Sequence, residues 1–169
     1  EIKVFDVNNL KLSSKHKIKR KNNRYYFEDT IYANEDIALG IYTYDQSNDA
    51  YNKNGVNKIK LFVDSVLIYH FELDKLDFSK NKYINAHIDY EEKILSKRKF
   101  HRCFRLPNNS LKNYKKILNN GFIKLNENKF HKIKFEVYDS YDNKSDLSFI
   151  IKETDLIFND TSIVDSNSI

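Results

Sequence analysis

The sequence predicts an all-β fold, a sandwich or barrel of short antiparallel strands, and three observations carry that expectation. Apolar and polar residues alternate with period two along most of the chain. The alternating runs are joined by short stretches rich in Asn, Asp and Ser, the residues that favour turns. No helical pattern is long enough to cover a parallel sheet, which sets aside an α/β fold. At 169 residues the chain has the size of one domain. It is long enough to bury a core without a disulfide or a structural metal.

Taken in order, weaker strands are expected near residues 2–7, 15–19 and 24–27. The first strong strand follows, where Ile37, Leu39 and Ile41 alternate with Ala38, Gly40 and Tyr42. Ile59, Leu61 and Val63 alternate with Lys58, Lys60 and Phe62, and Asp64-Ser65 then reads as a two-residue hairpin turn into a strand over 66–73. Residues 83–97 place Tyr83, Ile84, His87, Ile88 and Glu91 at helical spacing. A weaker strand is expected over 99–106. Ser110 reads as the N-cap of a second short helix carrying Leu111, Tyr114, Ile117 and Leu118, which Asn119-Asn120-Gly121 stops. Ile133, Phe135 and Val137, then Leu147, Phe149 and Ile151, mark the last two strands, joined by Asp139-Ser140-Tyr141-Asp142-Asn143. Such alternation describes antiparallel strands buried on one face. The expected fold is therefore β with one or two short helices in crossover loops.

Composition excludes several classes. Twelve Tyr and twelve Phe are incompatible with a disordered charged tail. Three glycines and one proline exclude collagen-like chains and Gly-rich phosphate loops. No apolar run approaches the ~18 residues of a membrane-spanning helix. The net charge of +5 is spread along the chain, densest over 15–24 and 97–105, and reads as a solvated surface rather than a nucleic-acid footprint. The chain has no methionine and begins at Glu1, from which a processed or excised piece of a longer protein is expected.

Enzymatic constellations are thin. His70 and Asp74 match His-x-x-x-Asp, half of a peptidase zinc site, but no His-x-His pair supplies a third ligand. In a strand those two side chains lie ~13 Å apart, so His70 reads as a sheet residue. Cys103 shares a strand face with His101 and Arg105, a conceivable nucleophile and base, yet a lone cysteine is more simply a buried one. Asp89, Glu91 and Glu92 read as acids at a helix N-terminus. Two binding features stand out. Asp45, Asp49, Asn52 and Asn54, together with Asn48, form the densest oxygen-ligand loop, ending at Gly55, and could hold calcium, although the spacing is not that of an EF-hand. Tyr25, Tyr26, Tyr42 and Tyr44, interleaved with basic residues, are candidates for stacking on sugar rings.

The order of several blocks carries a resemblance. Gly40-Ile41-Tyr42-Thr43-Tyr44-Asp45-Gln46 is followed by Asn52-Lys53-Asn54-Gly55-Val56 and Leu61-Phe62-Val63-Asp64. Then come Tyr83-Ile84-Asn85-Ala86-His87-Ile88-Asp89-Tyr90-Glu91, His101-Arg102-Cys103-Phe104-Arg105-Leu106-Pro107 and Asp139-Ser140-Tyr141-Asp142-Asn143. Over residues 30–152 this order resembles the immunoglobulin-like region just downstream of the catalytic domain in lysostaphin-type (LytM-like, M23) zinc metallopeptidases of bacterial envelopes. The turn at Asp64-Ser65 and Asp142 before Asn143 depart from the glycines usual there. The resemblance implies an immunoglobulin-like β-sandwich over 30–155, preceded by a linker or N-terminal strands over 1–29 and followed by a polar tail over 156–169. It further implies a non-catalytic accessory or spacer domain that positions a peptidoglycan endopeptidase or contacts wall or partner. The implied partners are the catalytic domain of the same polypeptide, which would hold the zinc, and peptidoglycan or an envelope protein, outside the cytoplasm. The alternative is a free-standing glycan- or protein-binding module.

Overall fold

The computed structural model describes residues 1–22, 24–46, 53–73, 83, 86–126 and 129–154. Asp49, Asn52, Asp74 and the tail 156–169 lie outside the described residues, as do Ile84 and Asn85. The strands are β1 (Ile2–Asp6), β2 (Leu12–His16), β3 (Lys19–Lys21), β4 (Arg24–Tyr26), β5 (Thr30–Ala33), β6 (Ile37–Tyr42), β7 (Asp45–Gln46), β8 (Lys53–Asn54), β9 (Lys58–Val63), β10 (Val66–Glu72), β11 (Phe100–Arg102), β12 (Tyr114–Ile117), β13 (Phe130–Tyr138) and β14 (Lys144–Glu153). Helix α1 (Tyr90–Ser96) lies between β10 and β11, and a 3-10 turn spans Asn119–Gly121. The protein is thus mostly β, with antiparallel sheets, as the period-two pattern predicts.

Two main sheets form, one in the order β11-β6-β1-β2 and the other in the order β12-β10-β9-β13-β14-β5. All pairings are antiparallel except β14 with β5, which run parallel. The apolar alternation aims one face of each sheet inward. Ile2, Val4, Ile37, Leu39 and Ile41 of the first meet Ile59, Leu61, Tyr69, Phe71, Ile133, Phe135, Phe149 and Ile151 of the second in one core. Register is pinned by the turns. Asp64 and Ser65 both have positive φ, 48° and 70°, the left-handed pair that a two-residue hairpin needs to follow strand twist. Asp139 accepts from the backbone N–H of Tyr141 at 2.8 Å and of Asn143 at 2.9 Å, and so closes the β13–β14 hairpin.

Three expectations are corrected. First, β1 and β6 are not half-buried but buried on both faces. The outward side of β1 and β6 carries Phe5 and Ala38, which Phe104 covers in a second small core together with Leu10, Leu106 and Phe122. Gly40 lies on the same side, where an added Cβ would come 3.1 Å from Phe5 Cε2. Second, residues 110–118 are not helical. The Leu111, Tyr114, Ile117 spacing imitates a helix, but Tyr114 to Ile117 instead add a strand to the free edge of β10, pairing Tyr69 with Ile117. Tertiary pairing overrides a weak local signal here. The Asn119-Asn120-Gly121 stop is a real turn, with all three residues at positive φ. Third, one helix does not run through 83–97. Tyr83, Ala86 and His87 are helical, but Ile88 leaves the helix to bridge His101, and Asp89 restarts it by capping the N–H of Glu92.

Helix α1 buries no residue of its own and is tied down by charge. Lys3, 3 % exposed, reaches outward from β1 to Asp89 Oδ2 at 2.6 Å and Glu92 Oε2 at 2.8 Å. Lys15 of β2 adds a second contact to Glu92 at 3.2 Å, and Arg102 one to Asp89 at 3.4 Å. The hydrogen bonds from Lys3 and Ser96 pull the Glu92 carboxyl down to about 2. Asp89, Glu91 and Glu92 stand at the helix N-terminus as the sequence suggests, and Asp89 and Glu92 do more than face the helix dipole, because they fasten the helix to the buried Lys3.

Candidate functional site

Four segments build the site at one end of the sandwich. Strand β6 ends at Tyr42, and Thr43 and Tyr44 lead out to the β7–β8 ladder, which pairs Asp45 with Asn54 and returns the chain to Gly55 and Val56. Tyr42, Thr43, Tyr44 and Val56 form a wall shared by two clefts. On one side, a cleft of about 270 Å³ is closed by Phe71 and Leu73 from β10 and its end, by His87 and Ile88, and by Lys97, Lys99 and His101 from the run into β11. On the other, a cleft of about 400 Å³ is bounded by Tyr25 and Arg20 of the β3–β4 hairpin, by Glu1, and by Asp139, Asn143 and Asp146 of the β13–β14 hairpin.

Three of the four tyrosines singled out in the sequence thus converge. Tyr42 and Tyr44 rings are 5.6 Å apart and tilted by 46°, and Tyr42 continues to Phe100 at 5.4 Å. Tyr44 is 42 % exposed, so a ligand in either cleft can reach it. Arg98 stands over the Tyr42 ring at 5.7 Å and is ion-paired to Glu1, while Arg20 stands over the Tyr25 ring at 5.3 Å. Tyr26 does not join them. It borders a separate depression with Lys21, Asn22, Arg24 and Glu28, because alternation along β4 sends neighbouring side chains to opposite faces.

The floor of the smaller cleft is a buried histidine pair that sequence reasoning did not connect. His87 Nε2 lies 3.0 Å from His101 Nδ1, the His87 ring stacks on Phe71 at 3.9 Å, and His87 Nδ1 faces the Tyr69 hydroxyl at 3.4 Å. Burial, reinforced by the charge of Lys99, lowers His101 to about 4. Burial, with His101 and Arg102 nearby, holds His87 well below the ordinary histidine range. Both rings are neutral at neutral pH, one N–H donating to the other ring nitrogen. The signal for this pairing was obscured because His87 sits on a helical spacing and His101 on a strand spacing.

Cys103 is fully buried, its Sγ 3.8 Å from the carbonyl of His101, and burial pushes its thiol well up, so it stays protonated and shielded rather than forming a thiolate beside a base. His70 stands in β10 as a sheet residue, 3.4 Å from Glu72. Of the calcium loop, Asp45 and Asn54 occupy opposed register positions of β7 and β8, and Asp49 and Asn52 lie outside the described residues. Among the described residues no group of three or more His, Cys, Asp or Glu is placed to hold a metal ion, and no helix is long and apolar enough to cross a membrane. No family model, curated protein or solved structure matches the chain.

Proposed function

We propose that this chain is a non-catalytic glycan-binding β-sandwich, an accessory module that holds peptidoglycan-type saccharide for a cell-envelope metallopeptidase. The observation that carries the binding is that Tyr42 and Tyr44 line two clefts with a common wall, and that Tyr25 joins them in the larger one. Tyrosine gives a flat apolar ring for the C–H face of a sugar and a hydroxyl for its edge. Arg20, Asp139, Asn143 and Asp146 surround the larger cleft with the donors and acceptors that saccharide hydroxyls require. Both clefts draw on the same Tyr42–Tyr44 wall, so each offers an aromatic surface to a sugar ring.

The immunoglobulin-like reading of the fold has support in the strand order. β1, β6 and β11 are adjacent, as strands A, B and E are in that sandwich, and β14, β13, β9 and β10 follow the order G, F, C and C′. Strand β12 departs from it, taking the edge beside β10 although it follows β11 in the chain. The attachment to a metallopeptidase, its zinc in a neighbouring catalytic domain, and a place outside the cytoplasm rest on the block order from Gly40 to Asn143 described above. Calcium at Asp45, Asp49, Asn52 and Asn54 belongs to the same proposal, as a brace for the loop that carries the shared wall.

The test is co-sedimentation of the full chain with purified peptidoglycan. Retention of the unmodified chain, with loss in Tyr44→Ala and Tyr25→Ala but not in Tyr26→Ala, is expected. Equal retention of all four, or of none, refutes the binding reading.

A further inference from the structure

We infer that the smaller cleft selects an acidic sugar, one ring carrying a carboxylate, seated against Tyr44 with its charge between Lys97 and Lys99. This rests on the glycan-binding reading above and assigns the ligand's chemical class. Three observations lead to it. The first is size. At about 270 Å³ the cleft falls just short of the ~300–1,000 Å³ of drug-sized sites, so it suits a single ring.

The second is the sign of its charge. Among the described residues no acidic side chain lines this cleft, whereas the adjoining one has Glu1, Asp139 and Asp146 beside Arg20. The two clefts share one wall and differ in electrostatics, so the difference arises from what stands opposite that wall. The third is the pairing of the cations. Most basic side chains at this end are already matched: Lys3 and Arg102 to Asp89, Lys15 to Glu92 and Arg98 to Glu1. Lys97 and Lys99 are exposed, line the cleft, and have no carboxylate partner among the described residues. Lys97 is fixed as the left-handed C-cap of helix α1 at φ 60°, which aims the segment that follows. The neutral His101 behind them offers a ring edge rather than a competing charge. A carboxylate entering here meets two unneutralised ammonium groups beside the apolar side chains of Phe71 and Val56, where an ion pair is screened less than on open surface.

A bland alternative is that these lysines only complement the negative end of helix α1. It predicts no discrimination between charged and uncharged ligands, and so the two accounts separate by experiment. The probes are the disaccharide of N-acetylglucosamine and glucuronic acid and the methyl ester of the same disaccharide, which keeps the shape and removes the charge. Calorimetric titration of the full chain should give tighter binding of the acid, by roughly 10-fold or more for two lysine contacts. Lys99→Gln and Lys97→Gln should each lose about fivefold of that preference, as for one exposed ion pair. The ester's affinity should not change in either variant. Both positions are exposed, so folding is not at stake, and Tyr44→Ala serves as the control that weakens acid and ester alike. Equal affinity for acid and ester overturns the inference while leaving the glycan-binding reading standing. A preference for the acid that survives both lysine substitutions also overturns it. Failure of both probes and of a neutral N-acetylglucosamine oligomer defeats the binding reading itself.

Discussion

Acid should loosen this protein before its carboxylates begin to titrate, because the smaller cleft rests on two neutral buried histidines. His101 faces His87, with Tyr69, Arg102, Lys99 and Cys103 around the pair, and none of these groups is an anion that would welcome a second proton. In the unfolded chain His101 binds its proton near pH 6.5, and in the folded one near 4. Because the folded value is the depressed one, its contribution is complete above pH 6.5 and is lost as pH falls toward 4. Linkage gives a slope of about 1.2 kcal/mol per pH unit around pH 5.5 and a total near 3 kcal/mol from this residue alone. His87 acts in the same direction, and the partly exposed His16 and His70 add smaller terms of the same sign. The assay is urea unfolding followed by far-UV circular dichroism at half-unit steps from pH 7 to 4.5, on the unmodified chain and on His101→Phe. The variant leaves His87 Nε2 without its partner and should be less stable at pH 7 by about 1–3 kcal/mol. Its stability should fall less steeply with acid, by about 1.2 kcal/mol per pH unit near pH 5.5. Identical slopes in the two proteins, or a gain of stability on acidification, would show that His101 is not held neutral by burial.

Other consequences follow from packing. Gly121 sits at φ 82°, and an added Cβ would lie 2.4 Å from the Cys103 carbonyl oxygen, so Gly121→Ala should cost about 2–4 kcal/mol in the same urea assay. Lys3→Ala removes the buried cation that Asp89 and Glu92 share, leaving them only the more exposed Arg102 and Lys15, and should cost about 3 kcal/mol, with loss of hydrogen-exchange protection concentrated in residues 89–96. Cys103 should resist an aromatic disulfide reagent at pH 8 in the folded protein and react at once in 8 M urea, at a concentration on the order of that which unfolds small domains fully.

The strands that were plain in the sequence are those whose alternation coincides with one buried and one wet face. In β9, β13 and β14 the buried Ile59, Leu61, Ile133, Phe135, Val137, Leu147, Phe149 and Ile151 alternate with mostly polar residues such as Lys58, Lys60, Lys132, Lys134, Ser148 and Lys152, and each strand forms where the pattern places it. The sequence misleads where tertiary contacts decide. Nothing local says that Ala38 faces a second core, because the Phe104 that packs there arrives from more than sixty residues away. Nothing local distinguishes residues 110–118 as strand, because the free edge of β10 that recruits Tyr114 is a property of the sheet. The site was legible by residue type and not by assembly. Tyr42 and Tyr44 were visible as a pair, and Tyr25 as a neighbour of basic residues, but only the β3–β4 hairpin brings Tyr25 to them. His87, His101, Lys97 and Lys99 enter through the Ile88–His101 bridge, which has no signature in spacing.

Saccharide binding by the tyrosine wall can be read out on the wall itself. Calorimetric titration of the full chain with a β-1,4-linked N-acetylglucosamine oligomer, repeated on Tyr44→Ala and on Tyr26→Ala, tests it most directly. Saturable binding is expected for the unmodified chain and for Tyr26→Ala, with about 1–2 kcal/mol lost in Tyr44→Ala for the missing ring contact. Equal heats and affinities for Tyr44→Ala and the unmodified chain would contradict it.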